Sequence, residues 1–267
     1  MITLQGFGKD YGDFTAVESI DLHIAAGETF GFIGPNGAGK STTLKMITGY
    51  LAPTSGNVFV DGKNIIDDCI EIQKEIGYLP ELNPLYTEMK VHEYLKFNAE
   101  IRHIVGDDFK EALTRVVSEC GLQGVVHKTI GNCSKGYKQR IGLAAAMIHD
   151  PKILILDEPV TGLDPNQIVE IRELIKRVGK KKLVLMSSHI LQEIQATVDR
   201  IIIINNEISR LPNKLFDKMI QKFYRFSLIF GITKNVEITN VRYEDSLELT
   251  WHRTQLVATF TAHSSPF

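Results

Sequence analysis

The chain has 267 residues, which suits one large domain or a domain with an appendage. It is 43% hydrophobic and 23% charged, an ordinary composition for a soluble globular protein. The formal net charge of -2 provides no broad basic surface, which argues against a nucleic-acid partner.

Taken in order, the N-terminus from Met1 to Gln5 shows no basic segment followed by a long apolar run, so no leader peptide is expected there. Residues 1–33 alternate as strands do. Val17, Ile20, Leu22 and Ile24 predict a half-buried strand with a slip near Ser19. Lys9 to Asp13 reads as a loop carrying Tyr11, and Ala26-Gly27-Glu28 as a turn. Thr29 to Ile33 is apolar enough for a short buried strand, and Ser41 to Gly49 has the apolar spacing of a helix. Pro53 to Gly56 predicts a turn, Asn57 to Val60 a strand, and Asp61-Gly62 a hairpin turn.

From about residue 85 to 148 the pattern is helical, with breakers at Gly106 and Gly121, and predicts an insertion between strands of a main sheet. Ile153 to Leu156 is a continuous apolar run, expected as a strand buried on both faces of a parallel sheet. Asp164-Pro165 suits a helix start. Leu183 to Met186 and Ile201 to Ile204 are further strands, separated by a helix from about Ile190, so strands and helices alternate in an α/β pattern. The tail from about 212 to 267 differs: helix-like at Leu215, Met219 and Ile220, then strand-like at Val236 to Val241, Leu247 to Trp251 and Leu256 to Phe260. No apolar stretch reaches the roughly 20 residues a membrane helix needs, so a membrane role would come through a partner. Cys69, Cys120 and Cys133 have no CxxC spacing, suggest neither disulfides nor zinc, and fit a reducing compartment.

The stretch Gly34-Pro35-Asn36-Gly37-Ala38-Gly39-Lys40-Ser41 reads G-x-x-x-x-G-K-S, between a predicted strand and a predicted helix. The glycines let the backbone curl so that successive N–H groups point inward as an anion nest, and the helix terminus adds partial positive charge. Lys40 brings a mobile charge for the β and γ phosphates, and the Ser41 hydroxyl, beside Thr42, is a magnesium donor. Asp157, at the end of the apolar run 153–156, can hold magnesium opposite Ser41, and Glu158 can orient or deprotonate a water. His189 ends a neighbouring strand, on the side where open α/β sheets bind ligands. Ser134 and Gly136 precede an apolar helix and offer a second anion site at its N-terminus.

Over roughly residues 2–210 the chain resembles the nucleotide-binding subunit of ATP-binding cassette (ABC) transporters. The resemblance implies a P-loop α/β fold of ABC type, with an antiparallel β subdomain, a mixed or parallel core sheet and a helical insertion. The boundaries expected are 1–211 for the ATPase domain, with the helical subdomain at about 85–148, and 212–267 for a small C-terminal accessory region. It further implies ATP and Mg2+ as cofactors. Gly34 to Thr42 matches the phosphate loop, Asp157 and Glu158 the magnesium carboxylate and catalytic glutamate, and His189 the switch histidine. Thr161 to Asp164 matches the loop that communicates across the dimer. Tyr11 matches the aromatic that stacks on adenine, with Val17 as a further nucleotide contact. Cys133 to Tyr137 aligns with the signature usually written Leu-Ser-Gly-Gly-Gln, retaining Ser134 and Gly136 but replacing three residues with Cys133, Lys135 and Tyr137. Glu81 stands where a magnesium-contacting glutamine is usual. Tyr78 to Glu81 with the Ser-Lys-Gly-Tyr signature resembles exporter ATPases related to those of gliding motility.

The implied partners are an integral membrane permease and a second ATP-binding subunit, as a homodimer, and the implied location is the cytoplasmic face of the cell membrane. The alternatives are a soluble ABC-type ATPase and a regulatory ATP-binding module not coupled to transport.

Overall fold

The computed structural model describes residues 1–204 and four short strands beyond them. β1 (Ile2–Tyr11), β2 (Phe14–Ile24), β4 (Ser55–Val60) and β5 (Lys63–Asn64) form an antiparallel sheet in the order β2-β1-β4-β5. The predicted slip falls where expected. Ser19 has φ 37, and the β1–β2 register shifts between the Phe7–Ile20 and Lys9–Val17 pairs. The predicted loop at Lys9 to Asp13 is mostly strand. Lys9, Asp10 and Tyr11 complete β1, Asp10 N–H donating to Thr54 Oγ1 at 3.1 Å, and only Gly12-Asp13 turn. Likewise Ser55 and Gly56 belong to β4 rather than to the turn before it.

The main sheet carries β3 (Thr29–Ile33), β6 (Ile76–Leu79), β7 (Ile153–Leu156), β8 (Leu183–Ser188) and β9 (Arg200–Ile203), parallel in the order β9-β3-β8-β7-β6. All four residues of β7 are buried. Strand alternation sends Ile153 and Ile155 into a core with Phe30, Phe32, Leu44 and the β1–β2 strands, and Leu154 and Leu156 into a second core with Leu95, Ile141 and Leu174. The continuous apolar run therefore reflects burial from both sides.

Around this sheet stand α1 (Lys40–Ile47), α2 (Cys69–Lys74), α6 (Pro165–Gly179) and α7 (Leu191–Gln195). The helical insertion is α3 (Val91–Ile101), α4 (Gly106–Cys120) and α5 (Lys135–Met147). Helix begins at Val91 rather than near residue 85. Glu93 turns back to accept from the Lys90 N–H at 2.9 Å, which fixes the start there. α4 ends at Gly121 in the left-handed region, φ 66.

In the tail, β10 (Val236–Glu237) pairs with β13 (Ala258–Thr261), which pairs antiparallel with β9 and extends the main sheet; β11 (Val241–Tyr243) pairs with β12 (Leu247–Leu249). The helix-like reading at Leu215, Met219 and Ile220 lies outside the described residues. Among the described residues no helix is long and apolar enough to cross a membrane.

The helical insertion returns to the sheet through His149-Asp150-Pro151, and polar contacts brace this return. Arg115 of α4 donates to the Met147 and Ile148 carbonyls at 3.1 and 3.0 Å, and Lys182 donates to the Pro151 carbonyl at 2.6 Å. His149 Nε2 donates to the Ile76 carbonyl at 3.1 Å, while its buried Nδ1 has no partner. A second proton would put an unsatisfied N–H at Nδ1. Burial first, then the Arg102, Lys182 and Arg115 charges, push the His149 pKa down to about 4.

Leu154→Ala should cost about 2–5 kcal/mol in urea unfolding, whereas Ile70→Ala, at an exposed position, should stay within about 0.5 kcal/mol. Because the folded His149 pKa lies below the ordinary value, the unfolded chain binds the proton more readily. Its contribution to stability is present above about pH 6.5 and is lost as pH falls toward 4. A His149→Gln variant should therefore lose less stability over that range, measured by urea midpoints at both ends.

Candidate functional site

The parallel strands all end on one edge of the sheet. Register places Ile33 beside Ser188 and Leu156 beside Leu79 and Met186, so Gly34, Pro80, Asp157 and His189 leave the sheet together. The phosphate loop follows β3. Gly37 and Gly39 take φ 83 and 93, and the Ala38 N–H donates to the Pro35 carbonyl at 3.2 Å. A Cβ on Gly39 would meet the Ala16 carbonyl at 2.4 Å and Val17 Cγ2 at 3.0 Å, and one on Gly34 would overlap the Ile204 carbonyl. The loop floor is buried at Gly34, Ala38, Gly39 and Lys40, while Pro35, Asn36 and Gly37 form an exposed rim. Lys40 Nζ donates to the Gly34 and Pro35 carbonyls at 2.8 and 3.1 Å.

Helix α1 starts on this loop with Gly39 at its N-cap and no side-chain cap; its first turn has no acidic residue. By contrast, Ser134 accepts from the Tyr137 N–H at the head of α5, and Asp164 accepts from the Gln167 N–H at 3.0 Å at the head of α6. α1 thus presents the uncapped, positive terminus that suits a phosphate.

A buried hydrogen-bond cluster faces it. Asp157 Oδ1 accepts from Ser41 Oγ at 3.0 Å and from Ser187 Oγ at 2.7 Å. Ser187 Oγ in turn accepts from the Glu158 N–H at 2.9 Å. Glu158 has φ 50, an uncommon conformation for a non-glycine residue, which directs its side chain back toward the loop. Its Oε2 accepts from His189 Nδ1 and from Thr161 Oγ1, both at 2.9 Å. Its buried Oε1 has no hydrogen-bond partner and stands 3.7 Å from Lys40 Nζ. The Tyr78 hydroxyl, buried and without a hydrogen bond, adjoins the same cluster. Burial first, then the Asp157, Tyr50 and Glu81 sites, hold it well above the ordinary phenol range.

The chain is similar to proteins of one family. Residues 17–161, over half of the chain, match the ABC transporter family profile; residues 129–194 also match a profile described as an AAA domain, putative AbiEii toxin, Type IV TA system. The bacitracin transport ATP-binding protein BcrA of Bacillus licheniformis is 38% identical over 82% of this chain and 72% of its own length. The chain belongs to the ABC transporter ATP-binding family. The linearmycin resistance ATP-binding protein LnrL of Bacillus subtilis is 35% identical over 77% of this chain and 66% of its own length. Among solved structures, the dimeric bacterial ABC transporter cassette MJ0796 superposes with a TM-score of 0.69 at 26% identity, covering 76% of this chain and 94% of that one. As an ABC ATPase, the protein binds and hydrolyses ATP.

Within this ABC ATPase the expected residues fall into groups. Gly34 to Thr42, Asp157, Glu158 and His189 converge at the strand ends. Val17 underlies Gly39. Tyr11, half exposed at the end of β1, has Lys9 Nζ 5.5 Å from its ring centre, and among the described residues no hydrogen bond or ring contact joins it to the loop. Ser134 and Gly136 lie at the start of α5, and no hydrogen bond among the described residues joins them to the phosphate loop. Gly136 packs so closely on Gln167 that a Cβ would lie 2.6 Å from its amide. Glu81 is exposed, and no hydrogen bond or ion pair among the described residues joins it to Ser41 or Asp157. The Ser41–Asp157 pair is a set of hard oxygen donors, one of them on a carboxylate only 1% exposed, and it fits a magnesium ion.

Sequence reasoning missed the roles of Ser187 and Thr161. The signal for Ser187 was a pair of serines ending an apolar strand beside the strand that carries Asp157. Ser187→Ala should destabilise the fold by about 1–3 kcal/mol, because the Glu158 N–H and one Asp157 bond lose their partner. Urea unfolding should show this loss together with weaker ATP hydrolysis.

Proposed function

We propose that this chain is the ATP-hydrolysing subunit of an exporter and works as a head-to-tail dimer coupled to a separate membrane permease. ATP lies between the phosphate loop of one copy, residues Gly34, Pro35, Asn36, Gly37, Ala38, Gly39, Lys40, Ser41 and Thr42, and Ser134 and Gly136 of the other. Tyr11 and Val17 receive the base and sugar side. The observation that carries the hydrolytic part is Glu158 Oε1, buried, without a hydrogen bond and 3.7 Å from Lys40 Nζ. An acceptor in that state takes a hydrogen bond from a water and draws its proton as the water attacks the γ-phosphate. The His189 bond to Oε2 keeps the carboxylate from rotating away. Lys40, lifted from its two loop carbonyls onto the phosphates, stabilises the charge that develops there.

Ser41 and Asp157 would hold magnesium, with Glu81 as a further ligand, and the ion would neutralise phosphate charge. The dimer reading is supported by two separate helix N-termini in one chain, the uncapped α1 and the Ser134-capped α5, since either alone would leave phosphate charge exposed. The permease reading is supported by exposed apolar residues on the segment after β6 and on α3: Leu82 at 86%, Tyr86 at 54% and Ile101 at 61% exposure. The relatives named for bacitracin transport and linearmycin resistance support export of an antibiotic-type cargo. Attachment to the permease places the subunit at the cytoplasmic face of the cell membrane.

Glu158→Gln removes the proton acceptor while preserving size and hydrogen bonding. Steady-state hydrolysis should fall by at least about a hundredfold, and ATP with magnesium should then accumulate a dimer on size-exclusion chromatography. Chelating magnesium should abolish turnover in the unmodified protein. Near-normal turnover in Glu158→Gln would remove Glu158 from its assigned role.

A further inference from the structure

Thr161 closes a tight turn on Glu158. Its N–H donates to the Glu158 carbonyl at 3.2 Å and its hydroxyl to Oε2 at 2.9 Å. With His189 on the same oxygen, two donors fix the carboxylate's rotation and leave Oε1 aimed at Lys40. The residue after Thr161 is Gly162, at φ 71. The Lys135 ammonium occupies the space that a side chain at position 162 would fill.

Lys135 opens α5, and no hydrogen bond or ion pair among the described residues engages its ammonium. A cation at the first position of a helix opposes the helix dipole, and the first turn of α5 has no acidic residue to offset it. The residue therefore works against its own helix, the kind of local conflict that concentrates at functional places.

We propose that Thr161 is a positioning residue for Glu158, and that Lys135, seated over Gly162, holds the Thr161–Asp164 loop in the setting that makes this bond. The inference rests on Glu158 as the proton acceptor. It joins the α5 terminus and the Glu158 carboxylate into one unit within a single chain. Movement of Lys135 off Gly162 frees the loop, and the loop carries the Thr161 hydroxyl away from Oε2.

The test is steady-state ATP hydrolysis by the full chain, with urea midpoints to show that each variant is folded. Thr161→Val should lower kcat about tenfold with KM within about twofold, the size expected for one lost hydrogen bond to a reacting group. Thr161→Ser keeps the hydroxyl and should restore kcat to within about twofold of the unmodified protein. Lys135→Ala should lower kcat by about threefold to tenfold and should add little to Thr161→Val, because both act through the same bond. Glu158→Gln is measured beside them. If it retains turnover, the reading of Glu158 fails. If it is inactive while Thr161→Val matches the unmodified protein, or Thr161→Ser falls as far as Thr161→Val, the positioning role alone is overturned. Full additivity of Lys135→Ala with Thr161→Val overturns the part assigned to Lys135.

Discussion

Two carboxylates, Asp157 and Glu158, are buried side by side at the end of an all-apolar strand, and much of the site is arranged to make that tolerable. Burying a carboxylate costs several kcal/mol unless hydrogen bonds and opposite charge offset it. Asp157 is met by two hydroxyls, from Ser41 on α1 and Ser187 on β8. Glu158 is met by His189, Thr161 and the nearby Lys40. The bonds come from separate elements, so the phosphate loop, the β7 end and the β8 end are held in register by the same cluster that serves the chemistry. The cluster is not fully closed. Oε1 of Glu158 has no hydrogen bond, and a buried acceptor without a donor is a place where water or substrate gains most.

The helix termini divide the labour. α6 is capped by a side chain of its own, and Pro165 at its first position removes one free N–H. α1 has neither a side-chain cap nor an acidic first turn, so its N–H groups and partial charge remain available to a ligand. α5 is intermediate, with Ser134 accepting one N–H but Lys135 adding positive charge. Its N-terminus packs on the start of α6 through Gly136 and Gln167 and on the Asp157–Glu158 side through Lys135 and Gly162.

The return from the helical insertion to the sheet is a separate polar seam. Arg115 and Lys182 donate to carbonyls at the end of α5 and in the irregular segment that follows it, and His149 of that segment donates to the Ile76 carbonyl of β6. The close passage of Gly77 past the Ala146 carbonyl leaves no room for a side chain. The insertion is thus joined to β6 and β7 through backbone contacts, which ties its orientation to the strand that carries Asp157.

The sequence by itself determined the elements whose pattern is local and strong. The glycine loop with its Lys-Ser, the four-residue apolar run before Asp157, and the Asp-Pro helix start each have one good structural solution, and each formed as expected. The strand slip at Ser19 was legible because a broken alternation leaves a mark. Elsewhere local propensity was overruled. Lys9 to Tyr11 look like loop but are strand, because they pair with Val17, Thr15 and Phe14 of β2, and Thr54 adds a partner for the Asp10 N–H. Residues 85–90 read as helix from the sequence, yet the helix waits for the Glu93 turn at Lys90. Only the tertiary structure decided that Ser187 joins Asp157 to Glu158 and that Lys135 lies on Gly162. Those contacts join residues from different strand ends and from a helix in another layer. Such neighbours are set by sheet order and packing, which no spacing within the chain records.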